Sequence, residues 1–143
     1  MRRGLVSVGY EGRTVDELIE TLRRHQVSLL FDVRLNAISR RPGFSKRALG
    51  TAVGDAGIEY RHVPELGNPK ANRAALRTGD PEARQRFVAH LPDHPSVLAE
   101  VTAEASRRVV ALLCVERSHD SCHRSCIALA VRELSPEVPL VVV

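Results

Sequence analysis

Short apolar runs alternate along this chain with segments whose apolar residues recur every three or four positions. The runs predict buried strands, and the repeats predict amphipathic helices. The pattern is weakest over 70–95. Strands are predicted at 5–8, 27–33, 58–63, 109–115 and 139–143, and helices after Thr14, over 45–56, 81–91 and 96–106, and after Ser121.

This alternation predicts a single three-layer α/β domain over residues 1–143, Rossmann-like or flavodoxin-like, with a mostly parallel sheet of about four to five strands. Segments 27–33 and 109–115 are the most continuously apolar, so we expect them in the middle of the sheet. Right-handed crossovers bring the loops that follow the strands to one edge, where ligands bind in such sheets.

The most site-like stretch is 107–134, which reads as a strand, a polar loop and a helix. Asp120 or Ser121 is the predicted N-cap, with Cys122, His123 and Arg124 in the first turn. The unpaired N–H groups of a helix start attract anions and lower the pKa of a thiol. The predicted buried stripe of this helix is Ile127, Ala130, Val131 and Leu134.

Cys122 has three interpretations. It is a nucleophile whose pKa is lowered by its neighbours, a structural cysteine that fills the junction of strand and helix, or a metal ligand together with Cys114, Cys126 and His119 or His123. The spacing C-x7-C-x3-C matches no standard zinc motif, so no metal ligand is predicted. The nucleophile and the structural residue both stay open.

Two further segments carry candidate residues. Asp32 closes an apolar strand beside Arg34, and it acts either as a base or orienting group or simply as the partner of that arginine. The loop Ser39-Arg40-Arg41 suits a phosphate or a carboxylate, or is a solvated turn.

We therefore expect one pocket at the strand ends, with catalytic and anion-binding groups side by side. Cys122 is the candidate nucleophile, and His123 or Glu116 is the candidate proton carrier. The side chains expected to line the pocket are Asp32, Arg34, Glu116, Cys122 and Arg124, with Tyr10 or Glu11 at its rim, and those expected to bind the anion are Arg34, Arg40, Arg41 and Arg124.

Composition and charge bear on the ligands of this protein and on its cellular compartment. The chain carries a net charge of +4, and its only lysines are Lys46 and Lys70. Arginine favours bidentate contacts to phosphate or carboxylate, although a GC-rich genome would also enrich it. No apolar run is long enough to span a membrane or to serve as a secretory signal, and three cysteines then indicate free thiols in a cytoplasmic protein. With 3% aromatic residues, stacking platforms for single-stranded nucleic acid are few.

Several short motifs together resemble the domain of unknown function 488 family, over nearly the whole chain. Asn68 stands where that family often has a second glycine, and Cys126 lies outside its motif. The resemblance implies a compact α/β fold and a shared polar site, and no reaction comes with it. The matching pieces are Val8–Gly12, Asp32–Arg34, Ser39–Arg41, Gly57–Tyr60, Pro64–Gly67, Leu113–Glu116 and Cys122–Arg124.

Three functions follow from these observations. The first is a small cytoplasmic enzyme, a cysteine-dependent transferase or hydrolase, that acts on an anionic substrate of phosphorylated or nucleotide-like character. The second is a non-catalytic module that binds phosphate, a nucleotide or a nucleic acid with the same arginines. The third is a zinc-stabilised structural domain. No particular cofactor is predicted.

Overall fold

In the computed structural model, which describes residues 1–143, five strands alternate with six α-helices. Two short 3₁₀ turns, at Pro64–Leu66 and Leu91–Asp93, lie in the connections. The elements are β1 (Gly4–Gly9), α1 (Val15–Arg24), β2 (Leu29–Asp32), α2 (Lys46–Asp55), β3 (Glu59–His62), α3 (Lys70–Arg77), α4 (Pro81–His90), α5 (Pro95–Ala105), β4 (Val109–Cys114), α6 (Arg124–Leu134) and β5 (Leu140–Val142).

The five strands form one parallel sheet in the order β3-β2-β4-β1-β5. This confirms the predicted three-layer α/β fold. Strands β2 and β4, which contain the two most apolar segments, lie inside the sheet as expected, and all their residues are buried. The edge strands β3 and β5 are only partly buried, since each has a single neighbour.

Each face of the sheet carries its own apolar core. Successive residues of a strand point to opposite faces, so Leu112 and Leu113 enter different cores. One core contains residues of α5 and α6 and is called here the α5/α6 face. The other contains residues of α1 and α2 and is called the α1/α2 face.

The start of α1 shows how closely local sequence determines an element. The Oγ1 of Thr14 accepts a hydrogen bond from the backbone N–H of Glu17 at 3.1 Å, and the Glu17 carboxylate accepts one from the N–H of Thr14 at 2.9 Å. This capping box satisfies two backbone donors that a helix start otherwise leaves unpaired. None of the six helices has both the length and the apolar composition needed to cross a membrane.

Two parts of the chain differ from the sequence pattern. Helix α3 was not predicted, because it is short and Leu76 is its only buried residue, which leaves no apolar repeat to recognise. Helix α6 begins at Arg124, with His123 as an N-cap that makes no side-chain hydrogen bond. The predicted cap at Asp120 or Ser121 is therefore wrong, and the stripe ends early because Leu134 is 60% exposed.

Candidate functional site

Five polar or thiol side chains meet on the α5/α6 face where β4 ends and α6 begins. All five are at most 2% exposed. Cys114 ends strand β4, and Glu116 lies in the loop that follows it. The other three residues lie at the turn into α6. We call this group the thiol cluster, and its members are Cys114, Glu116, Cys122, His123 and Arg124.

The sulfur of Cys122 is the centre of the thiol cluster. It lies 3.5 Å from Nδ1 of His123, and Nε of Arg124 donates to it at 3.3 Å. Burial alone would raise the pKa of Cys122, but hydrogen bonds from Cys114 and His123, with the charges of His123 and Arg124, outweigh burial and hold that pKa well below its usual value. Because Cys122 precedes α6, these side chains, rather than a position inside the helix, favour the thiolate.

His123 is held in one orientation by the backbone of the neighbouring strand. Its Nε2 lies 2.8 Å from the carbonyl oxygen of Val33, which can only accept, so Nε2 carries a proton. The other ring nitrogen, Nδ1, then faces the sulfurs of Cys122 and Cys114, at 3.5 and 3.9 Å. Burial opposes a charge on this ring, but the hydrogen bond with Cys122 and its negative charge prevail and raise the pKa of His123.

Arg124 is completely buried, and its guanidinium joins three parts of the fold. Besides Cys122, it donates to the hydroxyl of Ser7 in β1 at 3.0 Å and to the carbonyl oxygen of Glu116. All its nitrogens thus donate to protein groups. The contribution of Ser7 was not predicted, because a single serine inside an apolar strand carries no signal of its own.

Gly9 makes this arrangement possible at the end of β1. A Cβ at position 9 would lie 1.8 Å from the carbonyl oxygen of Glu116, the same oxygen that accepts from Arg124. Only glycine lets the two backbones approach so closely. The sequence indicates a loop here, but not that the loop packs against a segment 107 residues further along.

Cys114 and Glu116 connect the thiol cluster to the surface. The sulfur of Cys114 lies 3.3 Å from Oε2 of Glu116, and its single proton can go either to that oxygen or to the sulfur of Cys122. The hydrogen bond to Cys122 and burial raise the pKa of Cys114, so Cys114 stays protonated when Cys122 is a thiolate. The other oxygen of Glu116 accepts from Arg77 at 2.9 Å and lies 3.7 Å from Nε of Arg73, so α3 covers the cluster from outside.

Part of the thiol cluster has the geometry of a metal site. The sulfurs of Cys114 and Cys122 and Nδ1 of His123 all lie within 4.8 Å of one another, and all three residues are buried. Their sulfur–nitrogen separations of 3.5 and 3.9 Å are close to the ~3.5 Å that tetrahedral zinc imposes with bonds of about 2.3 Å to sulfur and about 2.0 Å to nitrogen. These three atoms could therefore hold a metal, with Val33 orienting the histidine.

A second buried polar group lies at the end of β2. Nε and Nη2 of Arg34 donate to the two oxygens of Asp32 at 2.8 and 2.7 Å, and Nη1 donates to the carbonyl of Phe44 at 2.7 Å. The hydroxyl of Tyr60 donates to Asp32 at 2.5 Å. Burial opposes the charge on Arg34, but the carboxylate of Asp32 outweighs it and raises the pKa of Arg34. We call this group the Asp32–Arg34 pair.

Asp32 and Cys122 do not share a pocket, so that prediction is wrong. Asp32 is in register with Leu113 and points with it to the α1/α2 face, whereas the next residue of β4, Cys114, points to the α5/α6 face. Parallel strands end at the same edge of the sheet. Successive side chains of each strand nevertheless point to opposite faces, so residues at this edge are divided between the two faces. Backbone groups link the two sides, since His123 donates to the carbonyl of Val33 and the N–H of Tyr10 donates to the carbonyl of Cys114.

The remaining predicted residues are spread around this edge. Tyr10 is buried beside the Asp32–Arg34 pair, with its ring stacked on Phe44 at 4.3 Å, and so does not form a rim. Glu11 is exposed and accepts from the N–H of Arg117 at 3.2 Å. Arg41 donates to the carbonyl of Arg13 at 2.5 Å, and its guanidinium lies 5.6 Å from the centroid of the Phe44 ring. The role of each in substrate binding stays a prediction.

Arg40 instead lines a surface groove between the loop after β2 and the start of α3. The groove has a volume of about 430 Å³. Arg73 both lines the groove and approaches Glu116, so the groove adjoins the thiol cluster. We call it the basic groove, and its lining residues are Leu35, Asn36, Ile38, Ser39, Arg40, Asn68, Lys70 and Arg73.

The chain matches the model of a known protein family. The model of a family described as "Domain of unknown function DUF488" matches residues 14–131, which is more than half of the chain and includes the whole thiol cluster. No curated protein and no solved structure matches the chain.

Proposed function

The chain belongs to the DUF488 family, whose name assigns no reaction, and on that premise we propose that it is an enzyme that acts on an anionic substrate through the thiolate of Cys122. The observation that carries this proposal is the pair of contacts to one sulfur, from Nδ1 of His123 at 3.5 Å and from Nε of Arg124 at 3.3 Å. A thiolate is the reactive form of cysteine, and cationic neighbours favour it.

The chemistry follows from this pair. The Cys122 sulfur attacks an electrophilic atom of the substrate and forms a covalent bond with it. The leaving group departs with the electrons of the broken bond and takes the proton from Nδ1 of His123. A second nucleophile, either water or an acceptor molecule, then gives up a proton to His123, takes the group from the sulfur and restores the thiolate. Water gives a hydrolase, and another acceptor gives a transferase.

The basic groove supplies the anion selectivity in this proposal. It adjoins the thiol cluster through Arg73, and its cationic side chains face solvent. Arg34 and Arg124, by contrast, are buried and donate to protein groups, so the proposal gives them a positioning role. Because α3 covers Glu116 with Arg73 and Arg77, a substrate reaches Cys122 only when this short helix shifts.

Asp32 is left out of the proposed chemistry. Both of its oxygens accept from Arg34, and one also accepts from Tyr60. A base needs a free lone pair within reach of the reacting group, and Asp32 lies on the opposite face from Cys122. We therefore propose that it is a structural residue, which was the alternative open from the sequence.

One rival has a specific observation in its favour. The grouping of Cys114, Cys122 and His123 within 4.8 Å supports a metal centre, in which Cys122 would be a ligand and not a nucleophile. The two candidates predict opposite reactivity for the Cys122 sulfur, because a free thiolate reacts with alkylating reagents and a thiolate bound to zinc is protected.

Alkylation by iodoacetamide at neutral pH, followed by peptide mapping, separates these candidates. We expect preferential labelling of Cys122 that disappears in Cys122→Ser. Cys126→Ser is the matched control, because Cys126 is equally buried and burial raises its pKa. Equally slow labelling of all three cysteines would contradict the proposal and favour a structural role. Protection of Cys114 and Cys122 that a chelator removes would contradict it in favour of the metal.

A further inference from the structure

We propose that the basic groove binds the phosphate group of a small nucleotide-like molecule through Arg40, Lys70, Arg73 and the side-chain amide of Asn68. This inference rests on the proposed function, since it identifies the substrate class of the same site. Of the arginines expected from the sequence to bind the anion, it keeps Arg40 and leaves out Arg34, Arg41 and Arg124.

The first observation is an uncompensated positive charge. Arg40 and Lys70 are exposed and form no ion pair, and no carboxylate lines the groove. Arg73 has only the carboxylate of Glu116, at 3.7 Å. Glu116 in turn accepts from Arg77, so its charge is shared. Three cations around one concave surface create a positive potential that favours an anion.

The second observation is a buried donor without an acceptor. Asn68 is 3% exposed, and its Oδ1 accepts from Asn72 at 2.8 Å. Its Nδ2 is also buried and has no hydrogen-bond partner. An unpaired buried amide is costly, so such a group in a native fold needs an explanation. An oxygen of a ligand in the groove would satisfy it.

The backbone next to Asn68 packs closely against the loop after β2, which places this residue in the wall of the groove. A Cβ on Gly67 would lie 2.4 Å from the Cα of Leu35, so only glycine allows the two loops to touch. The next element, α3, begins at Lys70 with no side-chain cap and no acidic residue in its first turn. Its unpaired N–H groups and its dipole add to the attraction for an anion.

An apolar patch indicates more than an isolated phosphate ion. Ile38 is 80% exposed and Leu35 is 39% exposed, and both line the groove. The volume of about 430 Å³ falls within the ~300–1,000 Å³ typical of small-molecule sites. A phosphate at the cations and a planar base against Ile38 would use both parts of the surface, as a nucleoside monophosphate can.

Isothermal titration calorimetry tests this with three probes, which are inorganic phosphate, ribose 5-phosphate and adenosine 5′-monophosphate (AMP). We expect each of Arg40→Gln and Lys70→Gln to weaken AMP binding about tenfold, because each removes a charge-assisted contact at an exposed position. Arg23→Gln is the matched control, since Arg23 is an exposed arginine at the C-terminal end of α1, and it should bind AMP like the wild type.

Two further variants test the amide and the apolar patch. Asn68→Ala should weaken all three probes, and calorimetric or circular-dichroism melting establishes whether it is folded. Ile38→Ser should weaken AMP about threefold to tenfold and leave ribose 5-phosphate unchanged, because only AMP has a base to place on the patch. Equal losses for the two probes in Ile38→Ser would contradict the nucleotide-like class.

Three results would overturn the inference. They are no heat of binding for any probe, equal dissociation constants in Arg40→Gln, Lys70→Gln and the wild type, and a strong preference for a single-stranded oligonucleotide over AMP. Alkylation of Cys122 in the wild-type protein distinguishes this failure from failure of the proposed function. If Cys122 still reacts selectively while the groove binds no probe, the groove assignment alone is wrong.

Discussion

Two arginines of this protein, Arg34 and Arg124, are almost fully buried, and they do different things with the same charge. Arg34 meets a carboxylate, and two hydrogen bonds of 2.8 and 2.7 Å neutralise the pair. Arg124 meets no carboxylate and donates to a sulfur, a hydroxyl and a carbonyl. Because no carboxylate neutralises Arg124, its charge can stabilise another anion in contact with it. The group in that position is the sulfur of Cys122, as a thiolate.

The largest effect is expected from breaking the Asp32–Arg34 pair. Asp32→Ala leaves the charge of Arg34 buried without a partner, which should lower the free energy of unfolding by about 3–5 kcal/mol. Urea denaturation measures this loss. Tyr60→Phe is the control, because it removes one neutral donor from the same carboxylate and should cost only about 1 kcal/mol. A loss below about 1 kcal/mol for Asp32→Ala would show that the pair is not structural.

Gly9→Ala is expected to have the next largest effect, because its Cβ would overlap the Glu116 carbonyl that Arg124 holds. We expect a loss of about 2–3 kcal/mol and slower alkylation of Cys122, since the displaced loop disturbs Arg124. Gly54→Ala is a matched control in α2, where no atom lies within 4 Å of the added Cβ. It should stabilise the protein by about 0.5–1 kcal/mol. Equal effects of the two substitutions would contradict the close approach.

Arg124→Met sharpens the contrast between the two arginines. It keeps much of the side-chain volume but removes the donors to Ser7, Glu116 and Cys122, so we expect a cost of about 2 kcal/mol. Alkylation of Cys122 at neutral pH should slow about tenfold, as the thiolate loses a cationic neighbour. Asp32→Ala, provided that it is folded, should leave this rate unchanged. A slower rate in Asp32→Ala as well would mean that the two groups act together.

Much of the fold could be predicted because the patterns that specify its strands and helices lie within short stretches of sequence. Apolar runs such as 27–33 predict interior strands, and Thr14 with Glu17 predicts a helix start. Helix α3 carries one buried residue and so no repeat, although it brings Arg73 and Arg77 to Glu116. Its function depends on a distant contact, which local patterns do not contain.

From the sequence, the candidate site could be placed at one edge of the sheet, but its residues could not be assigned to one face or the other. Cys122, His123 and Arg124 are adjacent in sequence, and Glu116 follows the strand that precedes them, so their meeting follows from one motif. The face on which Asp32 lies depends on the register of its strand. A shift of the register by one residue would move Asp32 to the opposite face. Ser7 and Gly9 act through contacts to residues more than 100 positions away, and no local pattern indicates that role.

The central claim is that His123 and Arg124 hold Cys122 as a thiolate, and the pH dependence of its alkylation tests it most directly. Only the thiolate reacts, so the rate falls as the pH drops through the pKa of the folded protein. With that pKa lowered, we predict that Cys122 still reacts well below pH ~8.5, where an ordinary thiol is mostly protonated. In His123→Gln, the midpoint should move upward. A wild-type midpoint at or above about 8.5, or the same midpoint in both proteins, would contradict the claim.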